Sequence, residues 1–298
     1  MIVSRFAPSP TGRLHLGHAF SAVRAHDLAR DQGGQFLLRI EDIDATRCRE
    51  EHVTGIEEDL RWLGLAWDGP VLRQSARMDT YAQALERLKA IGLTYPCFCT
   101  RAEIAASASA PHGQEGPAYP GTCRGLSEAE RAARMAEPHC WRLDMAKAVE
   151  AAPTTPSPLA GEGFGAGEGL RWHDSVVGWV EANPFAAGDV VLARKETPTS
   201  YHLAVTIDDA AQGITDVVRG IDLFEATHVH RLLQTLLELP TPRYHHHPLL
   251  LGLDGKRLAK RNGALPLAEL RAQGADPAGL LSALRRGQLP IGVIATKA

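Results

Sequence analysis

The sequence predicts an α/β fold built on a doubly wound parallel sheet. Two observations carry that prediction. A strand-like run from Ile2 to Ala7 leads through a Pro/Gly/Ser/Thr loop, Pro8 to Arg13, into a helical stretch from His15 to Gln32 and then a second apolar strand, Gln35-Phe-Leu-Leu-Arg-Ile40. Neighbouring parallel strands need a helix-length crossover, so this is a βαβ unit, and ligands of such sheets sit outside the carboxyl ends of the strands. Strand-like runs then return at Gly188-Asp-Val-Val-Leu-Ala-Arg194 and Thr215-Asp-Val-Val-Arg219, followed by a helical stretch from Phe224 to Leu239 that Pro240 ends.

Each element has a local reason. Ala19, Val23, His26, Leu28 and Ala29 fall on one face of the first helix, and Gly33-Gly34 supplies the residue that helix ends favour. Glu50 to Leu63 and Met78 to Ile91 are two further amphipathic helices. Residues 95 to 140 hold four of the five cysteines, and two small-residue stretches, Ala105 to Pro117 and Ala151 to Gly169, have no usable period and are expected to be mobile loops. Tyr201 to Asp209 starts like a helix or a strand edge. After a basic loop, Gly255-Lys-Arg-Leu-Ala-Lys-Arg-Asn-Gly263, two short helices close the chain. The expected organisation is a catalytic half at 1–94, an insertion at 95–170, a second catalytic half at 171–248, and a loop with a short helical end at 249–298.

Bulk properties narrow the class. A chain of 298 residues with 44% hydrophobic residues buries a substantial core. No apolar run approaches the roughly 20 residues that span a bilayer, and Met1 runs into a strand without a leader pattern, so a soluble, cytoplasmic protein is expected. Five cysteines make an odd set that argues for reduced thiols or a metal rather than a disulfide framework. The net charge is −3, yet Asp254 to Lys297 carries eight Lys/Arg against three Asp/Glu, a local excess of +5 suited to a nucleic-acid backbone.

His15-Leu-Gly-His18 stands at a loop-to-helix junction, where backbone N–H groups and the helix dipole favour phosphate. Both imidazoles can reach one phosphate, and Gly17 leaves room for a nucleotide. The block Arg5-Phe-Ala-Pro-Ser-Pro-Thr-Gly-Arg-Leu-His-Leu-Gly-His18 resembles the signature of class I glutamyl-tRNA synthetases, whose HIGH motif is here His-Leu-Gly-His. The similarity continues through Arg39-Ile-Glu-Asp-Ile-Asp-Ala-Thr-Arg47, Tyr201 and Val218-Arg-Gly-Ile-Asp-Leu223. It implies a class I synthetase-type, Rossmann-like catalytic domain that forms glutamyl-AMP from ATP and glutamate with Mg²⁺.

The resemblance further implies that Arg5, Phe6, Ala7, Pro8, Ser9, Glu41, Tyr201 and Arg219 surround glutamate. The chemistry suits that substrate: arginine forks bind carboxylates and Glu41 pairs the ammonium. Glutamine would forfeit a charge-assisted bond, about a 10- to 100-fold loss. Ser9, His15, Gly17 and His18 are implied in ATP binding, with Arg257 and Lys260 from the nearest match to KMSKS, Arg257-Leu-Ala-Lys-Arg261, which has Arg257 for the first lysine and Ala259 for the serine. His15, His18 and Lys260 are the implied catalytic residues.

Three thiols, Cys97, Cys99 and Cys123, leave one place open on a tetrahedral zinc, and by residue type His112, His139 or Cys140 are candidates for it. The pattern Cys97-Phe-Cys99 with Tyr119-Pro-Gly-Thr-Cys123 is similar to that of one branch of the family, the glutamyl-queuosine tRNA(Asp) synthetases, which implies Cys97, Cys99, Tyr119 and Cys123 as Zn²⁺ ligands. His245-His-His247 reads as a strand whose side chains alternate, not as a metal site. About 35 residues follow the basic loop, too few for an anticodon-binding region. The branch transfers glutamate to queuosine in tRNA(Asp), and the expected partners are glutamate and that tRNA, with the chain acting as a monomer away from membranes. The rival readings are a minimal glutamyl-tRNA synthetase that charges the tRNA 3′ end and a non-catalytic glutamate- or RNA-binding relative.

Overall fold

The computed structural model describes residues 1–100, 102–104, 119–152, 169–252, 265–287 and 293–295. The stretch from Ala105 to Pro117, the stretch from Ala151 to Gly169 apart from its edges, and the whole basic loop from Gly255 to Gly263, with Arg257, Ala259 and Lys260, lie outside the described residues.

β1 (Val3–Phe6) and β2 (Gln35–Ile40) run parallel, with α1 (Leu16–Arg30) as their crossover. α2 (Glu50–Trp62) leads to β3 (Leu72–Arg73), which adds in parallel to β2. The return from α1 is tight: a Cβ on Gly34 would stand 2.2 Å from the Ile2 carbonyl oxygen, and Gly33 has φ +62°. Only glycine fits both demands. After α3 (Met78–Ala90) come β4 (Thr94–Cys97), α4 (Glu128–Arg134), β5 (Cys140–Leu143) and α5 (Met145–Ala151), then β6 (Arg171–Asp174), β7 (Gly178–Glu181), β8 (Val191–Ala193) and α6 (Tyr201–Ala211). The last third holds β9 (Asp216–Gly220), α7 (Ala226–Leu236), β10 (Arg243–His247), β11 (Leu250–Gly252), α8 (Leu267–Ala272), α9 (Pro277–Arg285) and β12 (Val293–Ala295).

The second half of the sheet has the order β7-β6-β10-β9, parallel except for β7. It meets the first half along a seam. The Thr215 amide donates to the Val3 carbonyl at 3.0 Å, and the Val3 amide donates to Thr215 Oγ1 at 2.9 Å. From this seam the crossovers diverge, from β1 toward β2 on one side and from β9 toward β10 on the other, so the crevice between them is the expected ligand position.

β4, β5 and β8 form a separate antiparallel sheet. The chain therefore contributes the β6–β7 hairpin to the main sheet and then crosses back to place β8 beside β5, at residues the sequence had assigned to the second catalytic half. Burial accounts for the return: Leu192 and Ala193 pack in one core with Tyr81, Leu143 and Leu203. α8 and α9 insert Leu267 and Leu284 into the core beneath α1 and α2, and Arg285 forks onto Asp27 of α1 at 2.7 and 2.8 Å. Arg285, grouped by sequence with the basic surface, is thus engaged within the fold.

Tyr201 to Ala211 is a helix with two successive buried acids. Asp208 accepts from Gln74, Arg77 and Tyr81, and Asp209 accepts from Arg5 and Arg39. At the far end of the seam, buried Asp216 is opposed by burial but held down to about 2 by His245, Arg243 and Thr215. A depressed carboxyl pKa stabilises the fold above the unfolded value near 3.9, and that contribution disappears as pH falls through the folded value. Urea midpoints of the wild type are therefore expected to fall between about pH 4 and pH 2, and Asp216→Asn should flatten that fall; an unchanged slope would remove Asp216 as its source.

Candidate active site

The first turn of α1 is capped by its own histidines. His15 is the N-cap, and its Nδ1 accepts the Gly17 amide at 3.1 Å, while the His15 amide donates to His18 Nδ1 at 3.2 Å. The rings lie 3.9 Å apart. With both Nδ1 atoms accepting backbone N–H groups, the neutral tautomers carry their protons on Nε2, as donors. Gly17 is small for a reason beyond ligand access, since a Cβ there would stand 3.0 Å from His15 Cε1.

A cavity of about 300 Å³ opens beside this turn, at the carboxyl ends of β1 and β9. Arg5, Phe6, Ala7, Pro8, Ser9, His15, Gly17, His18, Glu41, Tyr201 and Arg219 all line it. Residues brought from opposite ends of the sequence thus share one enclosure. Ser21, Gly220, Asp222, His247 and Leu249 also line it; Gly220 and Asp222 fall in a quoted motif and His247 in the histidine run, but none of the five was assigned to the site from sequence. At Gly220 a Cβ would press on the side-chain ends of Asp222 and Leu249, so the wall would have to shift to admit one.

The charges of the cavity differ in how they are met. Arg5 reaches it already paired, with Nε and Nη2 at 2.9 and 3.4 Å from the Asp209 carboxylate. Fully buried Arg39 donates to Asp209 at 2.7 Å and to Glu41 at 3.2 Å. Burial raises the Glu41 pKa, opposed by Arg39 and Arg5. Asp209 meets the same burial penalty, but Arg5 and Arg39 outweigh it and hold its pKa below the usual range.

Arg219 is different. Its Nε donates to His246 Nε2 at 3.1 Å, Nη1 to His230 Nδ1 at 3.2 Å and to Tyr201 Oη at 3.4 Å, and Nη2 to Thr227 Oγ1 at 2.5 Å. Among the described residues it has no carboxylate partner. Burial, with Arg219 assisting, lowers His246 to about 4 and His230 well below the ordinary histidine value, and each ring presents to Arg219 a nitrogen that accepts an N–H, as only a neutral imidazole can. Burial likewise lifts Tyr201 to about 12. The three histidines of β10 have separate partners: His245 meets Asp216, His246 meets Asp174 and Arg219, and His247 meets Ser21.

The second cluster lies in the small sheet. The sulfurs of Cys97, Cys99 and Cys123 all fall within 4.8 Å of one another. Cys99 and Cys123 Sγ are 3.5 Å apart, near the edge of about 3.8 Å that a tetrahedron with Zn–S bonds of about 2.3 Å requires. Tyr119 Oη stands 3.8 Å from Cys99 Sγ and accepts the Cys123 amide at 2.7 Å. Cys97 is held down to about 4, first by the Cys140 thiol donating to it and, against burial, by Tyr119 and Arg142. Cys140 lies across from Cys97 in the ladder but outside the three-sulfur group. His139 is turned to the Glu137 carbonyl at 2.9 Å, and His112 lies outside the described residues.

No helix among the described residues is long and apolar enough to cross a membrane. Residues 1–156 and 166–293 match the family of class I tRNA synthetases (E and Q), catalytic domain. The chain is 50% identical over 295 residues to the Glutamyl-Q tRNA(Asp) synthetase of Rhodobacter capsulatus, covering 94% of this chain and 98% of that protein. It is 45% identical over 288 residues to the protein of the same name from Symbiobacterium thermophilum, covering 93% and 83%. Against Glutamate--tRNA ligase 1 of Ruegeria pomeroyi it is 37% identical over 289 residues, covering 96% of this chain and 60% of that one. The crystal structure of the glutamate-tRNA synthetase from Elizabethkingia anophelis superposes with TM-score 0.69 at 29% identity, over 88% of this chain and 53% of that chain, so this chain spans about half its length. A parallel sheet divided at a seam, a nucleotide-type helix N-terminus and a sequence match over nearly every residue agree: the chain is a ligase and belongs to the class I tRNA synthetases for glutamate and glutamine.

Proposed function

We propose that this enzyme activates glutamate with ATP as glutamyl-AMP and passes the glutamyl group to queuosine in the anticodon of tRNA(Asp). The observation that carries the activation step is the cavity itself, which puts an arginine without a carboxylate partner among the described residues, a largely enclosed glutamate and the two histidines of the α1 N-terminus around one volume. The acceptor is supported by the names of the relatives matched along most of their length.

In this reading Arg219 takes the side-chain carboxylate of glutamate. The α-carboxylate must lie beside the first turn of α1 to reach ATP, while the partners of Arg219 come from α6, α7 and β10, deeper in the fold. Glu41 takes the ammonium, whose charge keeps that buried carboxylate ionised. An α-carboxylate oxygen attacks the α-phosphorus and pyrophosphate departs with the electrons of the broken P–O bond. Nε2–H groups of His15 and His18 stabilise charge on the nonbridging oxygens, without needing to transfer a proton. Arg257 and Lys260 are assigned to the departing phosphates, where bound Mg²⁺ supplies further positive charge. A queuosine hydroxyl then attacks the glutamyl carbonyl, and AMP leaves.

The test uses ATP, labelled glutamate and tRNA(Asp) from cells able and unable to make queuosine. Label is expected only in the queuosine-bearing tRNA, including tRNA trimmed of its terminal adenosine. Equal labelling of both, lost on trimming, would instead support 3′-end charging, the second reading, which the likeness to glutamate-tRNA synthetases favours.

Cys97, Cys99, Cys123 and Tyr119 are assigned to one Zn²⁺, which would tie β4 to the segment before α4. About one zinc per chain is expected by elemental analysis, with most of it lost in Cys99→Ser and a lower melting temperature for that variant. Full zinc content in the variant would refute the ligand set.

A further inference from the structure

The strongest feature that the proposed reaction leaves unused is the shell behind Arg219. An arginine has five N–H donors. Four of them are taken, all by neutral acceptors: His246, His230, Tyr201 and Thr227. The other arginine of the cavity wall does have a carboxylate partner, since Asp209 behind it holds both Arg5 and Arg39. Arg219 is as buried as Arg5, at 5% exposure, and burying an unpaired guanidinium is costly. The sequence accepts that cost at one arginine and not at the other.

The shell is itself fixed by a further layer. His246 Nδ1 is 2.7 Å from Asp174 Oδ2, so its proton sits on Nδ1 and Nε2 is left to accept from Arg219. Asp174 is also held by the amides of Val176 and His246. His230 Nε2 lies 3.2 Å from His202 Nδ1, which leaves His230 Nδ1 as the acceptor facing Arg219. The Asp174 carboxylate is thereby kept one imidazole away from the guanidinium.

We infer that His230, His246 and Thr227 are positioning residues that set selectivity for an acidic over an amide side chain, by anchoring Arg219 through neutral acceptors so that its charge is met only by the substrate. A carboxylate in place of any of them would satisfy Arg219 internally, and glutamate would then lose its advantage over glutamine. The inference rests on the assignment of glutamate to this cavity. Hydrogen bonding alone would not produce it, because a neutral amide and a carboxylate of the same shape anchor an arginine equally well in geometry and differ in charge.

That difference defines the experiment. Thr227→Asn and Thr227→Asp are matched in shape and differ in charge, as are His230→Gln and His230→Glu. Pyrophosphate exchange into ATP is measured with glutamate and with glutamine on each preparation, and the ratio of the two kcat/KM values is taken, which cancels any inactive fraction. The charged member of each pair is expected to lower the ratio by about tenfold or more relative to its amide partner, with KM for ATP changed less than about twofold. Equal ratios within both pairs would overturn the inference and leave a merely structural shell. If one charged variant does not fold, the other pair decides; if neither charged variant folds, the ratio for His246→Gln decides, since it keeps a neutral acceptor and must retain the wild-type preference. Absence of glutamate-dependent exchange in the wild type would instead refute the assigned substrate, so the two failures are distinct.

Discussion

Arg219→Leu is expected to lower kcat/KM for glutamate by on the order of 10²- to 10³-fold, while KM for ATP changes little. The magnitude follows from the loss of one or two charge-assisted hydrogen bonds in a buried site, each worth about 1.5–3 kcal/mol. The ATP side should be spared because His15 and His18 are positioned by their own helix turn, through bonds that do not involve Arg219. Arg219→Lys keeps the charge but not the fork that reaches His246, His230 and Thr227 together, and should fall between the wild type and the leucine variant. Pyrophosphate exchange at varied glutamate and varied ATP separates the two effects. A loss that appeared equally in both KM values would mean that the cavity had collapsed and that Arg219 acts through packing.

The second large effect concerns stability. Asp209→Asn should destabilise the protein by about 3–5 kcal/mol, the usual consequence of removing one partner from a buried ion pair. Asp209 accepts from Arg5 at 2.9 Å and from Arg39 at 2.7 Å, and Arg39 is completely buried. Without that carboxylate, the two guanidinium groups would be left with Glu41, already disfavoured as an anion by burial, and Asp208, whose own partners are Gln74, Arg77 and Tyr81. Urea denaturation reads the change directly. A loss below about 1 kcal/mol would show that solvent or rearrangement relieves the charges and that Asp209 is not the keystone of the β1, β2 and α6 contact.

These two residues also mark how far the sequence could be read. Arg219 was legible because it sits in a motif, Val218-Arg-Gly-Ile-Asp-Leu223, and because glutamate demands a cation. Asp209 was not singled out, although Asp208-Asp209 at the end of an apolar stretch was a visible signal. A helix that turns two acids inward violates the periodic pattern unless one knows which arginines wait opposite, and Arg5 and Arg39 stand 204 and 170 positions away. The His246 and His230 contacts were hidden for the same reason. The run His245-His-His247 announced a strand, while the separate partners of its three rings come from β9, α1, β6 and α7.

The sequence by itself determined the elements and the chemistry of the substrate: β1, the capped turn of α1, β2, and an arginine and a glutamate suited to an amino acid with two carboxylates. Those depend on local periodicity, turn residues and residue type, all of which lie within short windows. Tertiary structure alone decided which of two similar arginines is neutralised, that β8 joins the small sheet rather than the main one, and that Arg285 pairs with Asp27 of α1. Each of these is a pairing between segments distant in sequence, made only once the chain has folded, and no local pattern encodes it.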